Sequence, residues 1–231
     1  MRLSPDSIVF FENTFIPLNG TILFTWLVMA LLTLGSWFVT RRLSTGPHVP
    51  RWQNLIEIII TLLLGQIREV TRQEPRPFLP FIGTLFIFIA VCNLLSIIPG
   101  FQAPTGSLST TAGLAICVMV AVPLFGIQDS GVGAYLKNYI KPTPMMLPFN
   151  VIGEISRTLA LAVRLFGNVM SSGMIGGILL AIAPLIFPVI MQMLGLLTGI
   201  VQAYIFAILA AVYIAAGLQV HEEQAAKVEK S

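Results

Sequence analysis

Charge is what this sequence has least of. Its 13 Lys and Arg and 10 Asp and Glu make up 10% of 231 residues, where a soluble globular domain carries about a quarter. So few charges cannot cover a folded chain of this size with a polar surface, which excludes an ordinary soluble domain. Cysteine is nearly as scarce. Cys92 and Cys117 each sit inside an apolar run and form no C-x-x-C spacing. A cysteine-built metal site is therefore excluded, and both are read as small buried hydrophobes. The two histidines, His48 and His221, fall in polar connections, which leaves no H-E-x-x-H helix and no Ser-His-Asp set at membrane depth. There is no P-loop and no dinucleotide-binding glycine fingerprint. The isoelectric point is near 9.1, yet no basic run exists, so nucleic acid is not an expected partner. An internal repeat of the kind that builds secondary transporters is also missing.

What is present is apolar length. Hydrophobic residues make up 56% of the chain and the mean hydropathy is +0.88, so its solvent is mostly membrane lipid. The pattern predicts an all-α integral membrane protein, a single membrane domain over 1–231, with about five transmembrane helices and one membrane-surface helix. An external N-terminal segment, 1–17, carries Asp6 and Glu12 ahead of a first span at 18–40, which Arg41 and Arg42 close. That charge order is the reverse of a cleaved signal peptide's. Residues 51–72 have an apolar centre too short to span and charged flanks, Arg51, Glu57, Arg68, Glu69 and Arg72, which mark an interfacial helix. Two further spans are expected at 81–98 and 111–127.

The last two spans, 151–183 and 189–217, are long. About 33 residues is roughly 50 Å of helix in a bilayer core of about 30 Å, so these helices must tilt strongly or project. Residues 221–231 form a solvated tail. In this topology Arg41, Arg42, Arg51, Arg68, Arg72, Arg76, Lys137, Lys141, Lys227 and Lys230 fall on one side, and Arg2 on the other. The positive-inside rule then puts the N-terminus outside and the C-terminus in the cytoplasm.

Arg164 lies near the middle of the fourth span. Arginine keeps its proton under any plausible condition, and a fixed charge at that depth costs about 3 kcal/mol on the insertion scale. A buried arginine–carboxylate pair is the plain explanation. Apart from Glu154 and Arg157, however, the other ionisable groups belong to connections or helix ends. Arg164 is therefore expected to face a partner on another chain, or water. Arg157, Arg164, Asn168 and Ser171 are spaced by 7, 4 and 3 residues and share one helix face, with Ser172 beside it. A polar stripe along a long helix in lipid marks an ion path. Glu154 stands toward the cytoplasmic end, where an i,i+3 pair with Arg157 is the competing reading. The fifth span carries a stripe of Gln192, Gly195, Gly199 and Gln202. Close packing accounts for its glycines, and an interhelical hydrogen bond for Gln202, as well as an ion path does.

R-L-F-G-N at 164–168 and Q-A-Y-I-F at 202–206, with P-F-N at 148–150 and P-T-G-S-L-S-T-T at 104–111, resemble subunit a of F-type ATP synthases, in its compact bacterial form. The resemblance covers nearly the whole chain and is strongest from Pro148 to Val220. It implies a non-catalytic, cofactor-free stator subunit in the bacterial plasma membrane. Its partners would be a ring of c subunits, the peripheral-stalk b subunits, the remaining synthase subunits and membrane lipid. Two half-channels would reach the ring's carboxylates from opposite sides. Arg164 matches the family's essential arginine, and Asn168 and Gln202 match its polar neighbours. Asn150, Glu154 and Arg157 fall where the cytoplasmic half-channel is expected. The outer one would be lined by Asn93, Ser107, Ser109, Thr111, Ser172, Gly173 and Gly195.

The sequence departs from the family on that outer side. Many relatives place a Glu/His pair where Gly173 and Gly195 stand here, and an aspartate at the position of Ser107. Without those relay groups the translocated ion is either H+ or Na+. The two glycines are expected to lie close together and to leave a hydrated gap, with Asn168, Ser172 and Gln202 supplying its polar partners. The competing readings are a self-contained ion channel or secondary transporter, which needs its own counter-charge or repeat symmetry, and a membrane scaffold with no ion path.

Overall fold

In lipid a backbone must satisfy its own polar groups, and runs of Leu, Ile, Val and Ala do so as helix. The computed structural model describes residues 20–41, 51–71, 76–98, 101–133, 146–182 and 187–228, and among them it contains no strand. The helices are α1 (Gly20–Thr40), α2 (Arg51–Thr71), α3 (Leu79–Leu95), α4 (Leu108–Ser130), α5 (Met146–Ile182) and α6 (Phe187–Val228), with a 3-10 turn at Pro104–Gly106. Four carry stretches long and apolar enough to cross a membrane: Gly20–Val39, Leu108–Gln128, Pro148–Leu180 and Val189–Gly217. The apolar α3 has 17 residues, the short end of the spanning range. The chain is an all-α integral membrane protein.

Three boundaries differ from those expected. Helix α4 runs on to Ser130 with Pro123 inside it, at the expense of one backbone hydrogen bond. Helix α5 begins at Met146. This places Pro148 in its first turn, where the missing N–H would have no helical acceptor anyway. Helix α6 continues past Gly217 through Gln, Glu, Ala and Lys to Val228, because these residues prolong a helix readily in water. The N-terminal segment 1–17 and several of the charges that set the expected orientation, Arg2, Arg42, Arg72, Lys137, Lys141 and Lys230, lie outside the described residues.

Helix α6 is the hub, packed against α2, α3, α4 and α5. Its inner face is rich in alanine: Ala203, Ala207, Ala210, Ala211 and Ala215 are buried, with Phe206 and Ile214 beside them, and small residues let helix backbones approach closely. Against them sit Phe88, Ile89 and Cys92 of α3, Val118 of α4, and Leu161 and Leu165 of α5. A second cluster joins Ile67 of α2 to Phe78, Ile82 and Ile214. Tyr204 on α6 donates its hydroxyl to Gln66 Oε1 of α2 at 2.6 Å, fastening α2 along the hub. Cys92 is buried as expected, whereas Cys117 is exposed. Helix α4 turns Ala115, Val118 and Ala121 inward, and position 117 falls off that face.

Candidate functional site

Helices α5 and α6 divide the labour. Of the apolar window in α6, 50% is buried inside the protein, against 6% in α5. Helix α5 packs against α4 and α6, buries Leu161, Ala162 and Leu165 and turns another side outward. Arg164 is on that outward side and is exposed. Among the described residues no hydrogen bond or ion pair is formed by its guanidinium. Arg157, two turns earlier, is also exposed, and its guanidinium carbon lies 5.8 Å from the centroid of the Tyr213 ring. Asn150 and Glu154 are half-buried near the start of α5, and Thr158 Oγ1 donates to the Glu154 carbonyl at 2.9 Å.

One turn beyond Arg164 the polar stripe swings toward α6. Asn168 Nδ2 donates to the Thr198 carbonyl at 3.3 Å. Ser172 Oγ donates to the Asn168 carbonyl at 3.0 Å, and Ser171, still exposed, donates to the Gly167 carbonyl. Beside this turn a cavity of about 450 Å³ lies among the end of α3, the turn before α4, α5 and α6. It brings together Asn93, Ser172, Gly173 and Gly195 of the expected outer set, and adds Asn168. A Cβ at Gly195 would meet Ser172 Cβ at 3.5 Å, whereas one at Gly173 would meet nothing within 4 Å. The two glycines thus open onto the cavity rather than onto each other's backbone.

Other expected residues do not line this cavity. Ser107 and Ser109 pair their hydroxyls at 2.7 Å. Thr111 Oγ1 donates to the carbonyls of Ser107 and Leu108 at 3.2 and 3.1 Å. These three groups are thus occupied in closing the first turn of α4. Gln202 lies apart from the cavity lining, only 6% exposed, with its Nε2 buried and without a hydrogen-bond partner among the described residues.

Besides Asn168, three polar lining residues fall outside the expected outer set: Ser96, Gln102 and Gln192. Gln192 was visible as one end of the polar stripe in an apolar helix. Gln102 sits in a connection, where a lone polar residue carries no signal. Among the described residues, no side chain lining the cavity is titratable, and no cluster of three or more His, Cys, Asp or Glu could hold a metal.

Residues 22–215 match the family model described as ATP synthase A chain. The chain is 60% identical over 216 residues to ATP synthase subunit a of Albidiferax ferrireducens, covering 94% of each protein. It is 61% identical over 222 residues to ATP synthase subunit a 2 of Acaryochloris marina, covering 96% of this chain and 95% of that one. To ATP synthase subunit a 1 of Chlorobaculum parvum it is 60% identical over 223 residues, covering 96% of this chain and 99% of that one.

Proposed function

The chain belongs to the ATP synthase A chain family, and from that premise we propose that it is the stator of the membrane sector of an F-type ATP synthase. It couples the flow of H+ or Na+ to rotation of a c-subunit ring, and so to ATP synthesis or hydrolysis elsewhere in the complex. The observation that carries this reading is Arg164, exposed at mid-span on α5. A permanent cation facing lipid is unfavourable by about 3 kcal/mol, and a passing ring carboxylate relieves that cost. The guanidinium keeps the carboxylate ionised while they face each other. Because it never deprotonates, it also blocks an ion from slipping directly between the two half-channels. Each charge moved through the full potential yields about 2.3 kcal/mol per 100 mV.

Asn168 and Gln202 act as the polar neighbours of Arg164. The cytoplasmic half-channel runs by Asn150, Glu154 and Arg157. The outer one uses the cavity at Asn93, Ser172, Gly173 and Gly195, with Ser107, Ser109 and Thr111 on the adjoining turn. The subunit itself catalyses nothing and binds no cofactor. It sits in the bacterial plasma membrane with its N-terminus outside, beside the peripheral-stalk b subunits. Replacing Arg164 with Ala in the assembled complex should abolish ion-coupled ATP synthesis while leaving insertion and assembly intact. Normal coupled synthesis in that variant would overturn the proposal.

A further inference from the structure

Helix α6 is held by hydrogen bonds from three other helices over less than two of its turns. Asn168 Nδ2 of α5 donates to the Thr198 carbonyl at 3.3 Å, and Asn93 Nδ2 of α3 donates to the Gly199 carbonyl at 2.9 Å. The Tyr204 hydroxyl donates to Gln66 Oε1 of α2 at 2.6 Å. At about 100° per residue, Thr198 and Gly199 stand roughly 40° and 60° around α6 from Gln202, whereas Tyr204 stands roughly 160° from it. The bond to α2 is thus made on the far side of the helix from the other two. Gln202 lies between these bonds in sequence. It is 6% exposed, and its Nε2 has no hydrogen-bond partner among the described residues. The direction of this nitrogen is therefore not set by a bond of its own. It is set by how α6 is turned about its axis.

Bonds on one side of a helix leave it free to roll about them, and a bond on the opposite side removes that freedom. Apolar packing of Ile67 on Ala207, Ala211 and Ile214 brings α2 to α6, but such contact is non-directional. A hydrogen bond constrains angle as well as distance. At a radius of about 5–6 Å, a roll of about 10° moves a side chain by about 1 Å, which is enough to spoil the alignment of a group at a reacting centre. We infer that Gln66 is a positioning residue for the arginine site: through the Tyr204 hydroxyl it fixes the roll of α6, and with it the aim of Gln202. The inference rests on the stator reading, in which Gln202 is a polar neighbour of Arg164. It gives α2 a part in ion transfer, although no residue of α2 lines the cavity.

The experiment uses the intact complex in liposomes, driven by ATP. A potential-sensitive dye follows the charge moved, and phosphate release follows the ATP hydrolysed. Gln66→Leu removes the acceptor at similar size, and Tyr204→Phe removes a single oxygen. Each should lower the charge moved per ATP about fivefold, the weight of one hydrogen bond, with the amount of assembled complex near wild type. A merely structural contact would lower the amount of complex and leave the ratio of charge to ATP unchanged. The double variant should lose no more than either single one, since both changes break the same bond. Should Gln66→Leu fail to assemble, Tyr204→Phe reads the same bond. An unchanged ratio in Tyr204→Phe, or losses that add in the double variant, would overturn the inference. A wild-type complex that moves no charge as it hydrolyses ATP would instead overturn the stator reading.

Discussion

Asn93 of α3 and Gly199 of α6 interlock: the Asn93 amide bonds the Gly199 carbonyl at 2.9 Å, and a Cβ on residue 199 would lie 2.8 Å from Asn93 Cγ. Asn93 is 5% exposed, so its side chain has little room to retreat. Glycine is here for close approach rather than for an unusual backbone angle, and the approach sets the distance between α3 and α6 beside the cavity.

Gly199→Ala should accordingly destabilise the subunit by about 1–3 kcal/mol, the usual range for overpacking a filled site. Trimming the other partner as well, in an Asn93→Ala, Gly199→Ala double variant, should recover much of the overpacking loss, since the two residues act as one contact. Thermal denaturation of the detergent-solubilised complex measures both. Additive effects in the double variant would show that the contact is not shared.

Arg164→Lys should lose most of its coupled ATP synthesis despite keeping a basic residue. Lysine sheds its proton when desolvated and lacks the planar fork of arginine. The comparison to make is ATP synthesis against complex assembly in the same membranes. Near-normal synthesis would mean that a titratable cation suffices.

Gly195→Leu should fill part of the cavity and slow passive ion flux through the membrane sector. The first atom of the new side chain already reaches ordinary contact with Ser172 Cβ, 3.5 Å away, and the rest must occupy open space. Insertion should be undisturbed, because leucine is favourable in lipid. Flux equal to wild type would count against an ion path between α5 and α6.

A membrane-impermeant thiol label should reach a cysteine introduced at Ser4 only from outside the cell, and one at Ser231 only from the cytoplasm. This follows from an odd number of crossings with α2 lying at the surface. Labelling of both from one side would mean an even number, with α2 crossing or the short α3 failing to.

Much of the fold was legible in the sequence because it depends on properties each segment carries by itself. Hydropathy and length mark the spans, proline and charge mark their ends, and the excess length of α5 and α6 follows from 1.5 Å per residue. The unusual placement of Arg164 was legible for the same reason: the penalty for a fixed charge in lipid needs no knowledge of neighbours. The absent side-chain volume at Gly173 and Gly195 was readable too, and both residues line the cavity.

The sequence by itself thus determined that this is an all-helical membrane protein with one unusually placed arginine and a polar stripe on each of its last two helices. Only the tertiary structure decided where those stripes meet. A helical repeat gives the direction of a face, but not which backbone carbonyl lies opposite it. Asn93 finds the Gly199 carbonyl 106 residues away, and Gln192 finds the Ile97 carbonyl 95 residues away. Those contacts orient the two amides, and the same tertiary packing puts Gln102 in the cavity lining and Gln202 outside it. Ser107, Ser109 and Thr111 looked equally polar in the sequence, yet their hydroxyls turn to the start of α4, because a local partner is within reach before any distant one.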